Sequence, residues 1–68
     1  MYIVSFEYRL RQSSKLRRQF IRAEYAPDNA ANATRFETYN AAETAADIVR
    51  KNFQDMGRSV TFKFIEEK

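Results

Sequence analysis

Apolar and polar side chains alternate from the second residue onward. Tyr2, Val4, Phe6, Tyr8 and Leu10 fall on one side of an extended chain, and Ile3, Ser5, Glu7 and Arg9 on the other. A period of two over that length predicts a β-strand with one face toward a core. A second extended run over residues 16–26 carries Phe20, Ile21 and Tyr25, and the polar stretch Gln12-Ser13-Ser14-Lys15 between the runs reads as a hairpin loop. Neither Asn-Gly nor Asp-Gly is present there, so a four-residue connection is expected in place of the tightest turns. A slip of one residue would send every side chain to the wrong face. Pairing positions whose numbers sum to 27 gathers the apolar side chains on one face: Tyr2 opposite Tyr25, Val4 opposite Ala23, Phe6 opposite Ile21 and Tyr8 opposite Gln19. In that register Arg9 stands opposite Arg18, and the other face carries Ile3, Ser5, Glu7, Arg9, Arg18, Phe20, Arg22 and Glu24.

Beyond Ala26 the pattern changes. Residues 27–34, Pro-Asp-Asn-Ala-Ala-Asn-Ala-Thr, hold turn formers and no large apolar side chain, which predicts a surface loop; residues 35–39 offer a short edge strand. Asn40 suits an N-cap, with Glu43 three positions later as its capping-box partner, and Gly57 suits the left-handed residue that ends a helix. A helix over residues 41–56 is expected to bury Ala42, Ala45, Ala46, Val49, Phe53 and Met56, with Ile48 at the margin. Alternation returns over residues 59–66, where Val60, Phe62 and Phe64 oppose Thr61, Lys63 and Ile65. The order is β-β-(β)-α-β, a single small α+β domain spanning 1–68: an antiparallel hairpin plus one or two further strands, with one helix on one face. A right-handed crossover puts the last strand beside the first and leaves the face away from the helix uncovered.

Composition removes most chemistry. Without cysteine or histidine there is no thiol nucleophile, no imidazole base and no common zinc ligand set. The lone glycine excludes Gly-rich phosphate loops and dinucleotide fingerprints. The carboxylates show no convergence into a pocket, so the expectation is a non-enzymatic protein without cofactor or metal. Aromatic residues are 15% of the chain, mostly core formers, which argues for a folded globule. The first residues lack a basic leader and reach Glu7 too soon for a membrane span, so a soluble, cytoplasmic protein is expected. The sequon Asn32-Ala33-Thr34 carries weight only in a secreted chain.

Charge supplies the one pointed feature. Six of the twelve basic residues and no acidic one lie between Tyr8 and Ala23, which leaves six basic against nine acidic elsewhere. Arg9, Arg11, Lys15, Arg17, Arg18 and Arg22 would thus cluster on one hairpin, and the like-charge pair Arg9–Arg18 would cost stability unless something anionic meets it. Arginine suits bidentate contact with phosphate or carboxylate. The expectation is a binding module contacting nucleic-acid phosphates through these six residues, with Phe20 assisting by stacking or apolar contact. Three alternatives stand beside it. The same basic surface fits a small inhibitor or adaptor, the form of many viral and plasmid accessory proteins, docking on an acidic protein surface or a sheet edge. Ile3, Phe20 and Ile65 on the uncovered face could join two copies in a homodimer. Arginines on an exposed sheet also simply keep a small domain soluble and discourage edge pairing.

Overall fold

In a computed structural model, which describes residues 1–9, 15–23 and 25–67, the first alternating run becomes β1, Tyr2–Arg9. Among the described residues it is followed by β2 (Leu16–Phe20), a 3-10 turn at Ala30–Asn32, α1 (Tyr39–Asp55) and β3 (Val60–Glu66). The strands form one antiparallel sheet in the order β2-β1-β3, so β1 is central, as the crossover rule requires. The protein is a small α+β fold with one helix laid on a three-stranded sheet. The expected loop residues Gln12, Ser13 and Ser14 lie outside the described residues, as do Leu10, Arg11, Glu24 and Lys68.

Helix and sheet meet through small residues. Val4, fully buried at the centre of β1, packs with Ala42 and Ala46 of α1, and Tyr2, Ile21, Phe36, Phe62 and Phe64 close around them. The alanines let the helix backbone approach the sheet, and aromatic side chains fill the two ends of the seam. At one end Tyr39 sets its ring 5.0 Å from Phe64 and 5.8 Å from Tyr2; at the other Phe53 lies 4.9 Å from Tyr8 and 5.9 Å from Phe6. α1 therefore runs along β1 from the Tyr2 end to the Tyr8 end. It packs on β1 and β3.

The helix begins two residues earlier than the expected 41–56. Thr38 is the N-cap and its Oγ1 accepts the Ala41 N–H at 3.1 Å, displacing Asn40 and the expected pairing with Glu43. The aromatic contacts of Tyr39 explain the shift, because a helical first turn is what carries that ring onto Tyr2 and Phe64. The end of the helix follows expectation. Gly57 has φ +72°, its N–H bonds the Gln54 carbonyl, and the Arg58 N–H bonds the Phe53 carbonyl, the two hydrogen bonds of a Schellman motif. Ala42 and Ala46 are buried as expected, whereas Met56 is 55% exposed and Ile48 62% exposed. Met56 caps a helix already leaving the sheet.

The hairpin register differs from expectation by two residues. Ser5 stands opposite Phe20, Phe6 opposite Gln19, Glu7 opposite Arg18, Tyr8 opposite Arg17 and Arg9 opposite Leu16, so paired numbers sum to 25. A two-residue slip keeps every side chain on its face, which is why apolar patterning does not resolve it. The new register converts a like-charge pair into the opposite-charge pair Glu7–Arg18. It also shortens the second strand. The last ladder bond, Ile21 N–H to the Val4 carbonyl at 2.9 Å, is followed by divergence, and the 33–36 segment takes over the edge of β1. Phe36 exchanges both backbone hydrogen bonds with Tyr2, at 2.7 and 2.8 Å, while Ala33 bridges Arg22. Tyr25, expected opposite Tyr2, is 93% exposed instead. The expected edge strand at 35–39 is reduced to the Phe36 bridge.

The face away from the helix is less open than expected. Ile3 is 2% and Ser5 4% exposed, although both point away from α1. Ile65 stands beside Ile3, and Arg35 is tied to the end of β3, its Nε 2.8 Å from Glu67 Oε1. At the same end the Tyr2 hydroxyl hydrogen-bonds to the Glu66 carboxylate, which holds the phenol above its ordinary value.

Two substitutions test these contacts. Gly57→Ala meets no neighbouring atom, so its cost is the left-handed backbone alone, about 1–2 kcal/mol, read as a lowered urea midpoint with an unchanged slope. Ala46→Leu forces α1 off Val4 and should lower stability by roughly 1–3 kcal/mol in the same experiment.

Candidate functional site

The cations of the basic hairpin form two groups by position, one along the strands and the following loop and one at the connecting end. Arg18 belongs to the first group: its Nε lies 2.8 Å from Glu7 Oε1, and Nη2 reaches the same oxygen. Opposite charges directly across two strands favour the observed register, and with Arg18 66% exposed the pair contributes modestly. Arg22 is more deeply committed. Its Nε donates to the Ala26 carbonyl at 3.0 Å, Nη1 donates to the Phe20 carbonyl at 3.2 Å, and Nη1 lies 3.5 Å from Asp28 Oδ1. Asp28 Oδ1 in turn accepts the Phe20 N–H at 2.9 Å. Arg22 and Asp28 thus close the outer edge of β2 at Phe20, satisfying backbone groups that point away from β1.

Arg9, Lys15 and Arg17 form the second group. All three are exposed, and β1 and β2 bring them to one end of the sheet: Arg9 stands opposite Leu16, Lys15 immediately precedes β2, and Arg17 stands opposite Tyr8 on the helix side. Arg11 lies outside the described residues. Phe20 is half-buried on the face away from the helix, opposite Ser5, and so sits away from the tip. The like-charge pair Arg9–Arg18 does not exist: Arg9 faces Leu16, which is 52% exposed.

Sequence reading missed a second cationic group at the same end. Tyr8 pairs with Val60, which brings Arg58, just before β3, toward the connecting end of the hairpin. Arg50, Gln54, Arg58, Ser59 and Val60 line a cleft of about 190 Å³ between the helix C-terminus and the start of β3. Arg50 lies over the Phe62 ring, 5.1 Å from its centroid, and pairs with Asp47 one turn earlier. The signal that would have found Arg58 is the strand order: once β3 lies beside β1, residues 58–60 must reach the hairpin end. The opposite end of the sheet carries charges of both signs: Glu66 across from Tyr2, Glu37 beside Phe36, and Glu67, which pairs with Arg35 and whose carbonyl accepts from the Met1 ammonium.

No protein-family model, curated protein or solved structure matches the chain. Among the described residues, no helix is long and apolar enough to cross a membrane.

The division of the arginines has a measurable consequence. Arg22→Ala leaves the Ala26 and Phe20 carbonyls without this donor and Asp28 without its cation, and should cost about 1–3 kcal/mol in urea unfolding. Arg18→Ala, at an exposed pair, should cost under about 1 kcal/mol.

Proposed function

We propose that the chain is a non-catalytic binding module that meets nucleic-acid phosphates with the end of its β1–β2 hairpin, through Arg9, Lys15 and Arg17, together with Arg11, which the sequence puts in the connecting segment. The observation that carries this reading is the gathering of exposed cations where β1 ends and β2 begins. Such an arrangement orients the molecule in the field of a polyanion and presents the hairpin first. Arg18 and Arg22, with their internal partners Glu7 and Asp28, serve to hold the hairpin in shape. Phosphate contact of this kind positions the protein without reading bases.

A second reading draws on Leu16. An apolar side chain 52% exposed among cations also suits an inhibitor or adaptor docking on an acidic protein surface. The two differ in salt response and in partner.

Fluorescence anisotropy with single- and double-stranded DNA and RNA at 50 and 200 mM salt separates them. The nucleic-acid reading expects binding that weakens steeply with salt, and Arg17→Ala lowering the salt slope by about one. No measurable binding at the lower salt, with one stoichiometric protein retained from nuclease-treated lysate, supports the protein-partner reading instead.

A further inference from the structure

The two edges of the sheet differ. On β2 the outward backbone groups at Phe20 are closed by Asp28 and Arg22. On β3 the situation follows from hydrogen-bond phase. Val4 accepts from Ile21, so the even-numbered residues of β1 direct their backbone groups to β2, and the odd-numbered ones direct theirs to β3. Met1 and Glu67 confirm the phase at the strand ends by exchanging both bonds, at 3.0 and 2.7 Å. Ile65, Lys63 and Thr61 therefore bond inward to β1, and Val60, Phe62, Phe64 and Glu66 turn their N–H and C=O groups outward. Along this edge no hydrogen bond covers those groups among the described residues.

We propose that the β3 edge is an interface for a second copy of this chain, two β3 strands pairing antiparallel about a twofold axis at Phe62. Register selects the pairing. Outward groups pair only with outward groups, so the strands are offset by even steps. Pairing centred on Lys63 sets that lysine against its own copy, and pairing centred on Phe64 sets Glu66 against Phe62. Pairing centred on Phe62 sets Val60 against Phe64 and Thr61 against Lys63, and brings Arg58, just before β3, to the end where the copy's Glu66 lies. It is the register of these three that places opposite charges across the strands and no like charges. The same twofold reverses α1, turning the acidic first half with Glu43 and Asp47 toward the copy's Arg50 and Arg58. The product is a continuous six-stranded sheet with both helices on one face and the two basic hairpin ends at opposite extremities. Glu66 keeps its bond from Tyr2, since a carboxylate accepts several donors.

Sedimentation equilibrium over about 10 µM to 1 mM tests this, a range that spans weak self-association. The wild-type chain should pass from the 8.1 kDa monomer to a species of twice that mass. Arg58→Glu and Glu66→Arg should each weaken association at least about tenfold, because each substitution acts twice in a twofold interface. An equimolar mixture of the two variants should recover the dimer, since each then supplies the charge that the other lacks. A wild-type chain that stays monomeric throughout overturns the proposal, as does a dimer indifferent to both substitutions. Failure of the mixture to associate, with both variants retaining the wild-type circular dichroism, also overturns it.

Discussion

The close approach of α1 to the middle of β1, where Ala42 and Ala46 pack on Val4, is the constraint from which the rest of the structure follows. A short chain without disulfides has to win its stability from packing, and a helix seated on a sheet through alanines keeps interior gaps small. Because the seam is narrow, the large rings are pushed to its ends. Tyr2, Tyr39 and Phe64 gather at one end, Phe6, Tyr8 and Phe53 at the other. The first cluster fixes where the helix starts, and the second lies just ahead of the Schellman turn that delivers the chain into β3. With β1 held from above by α1, β2 and β3 become edges, and each edge acquires its own character.

Much of the architecture was legible as alternation and helical spacing. β1, α1, β3, the buried alanines, Gly57 and the position of β3 beside β1 all follow from local pattern and a handedness rule. What patterning could not supply was a choice between registers that keep the same faces. Sums of 25 and 27 bury the same face of β1, and the decision falls to a charge pair, Glu7–Arg18, and to competition for the edge at Tyr2. Phe36 wins that competition over Tyr25 from a segment whose sequence looks like loop. Phe36 reaches Tyr2 through two backbone bonds and joins the cluster around Val4, which no window of neighbouring residues would reveal.

The candidate site was legible as a place, and the internal partners of its members were not. A run of six cations on one hairpin is visible in composition, but which of them are committed internally depends on register and on Asp28, eight positions from Phe20 in sequence. Arg22 stood out as a cation, yet its guanidinium serves two carbonyls and a carboxylate of its own loop. Arg18 balances Glu7. Arg9, Lys15 and Arg17 are exposed at the end of the hairpin. Under the proposed function, Arg18 and Arg22 hold the hairpin's shape and the cations at its end form the contact surface.

The division of labour within the hairpin is the central claim, and nuclear magnetic resonance of the backbone amides during titration with a short single-stranded oligonucleotide tests it most directly. Shifts confined to the end of β1, the connecting segment and the first residues of β2, with Arg22, Asp28 and the Glu66 end unmoved, are the predicted result. Shifts centred on the Arg22–Asp28 loop or on the Glu66 end, or none at saturating oligonucleotide, would contradict it.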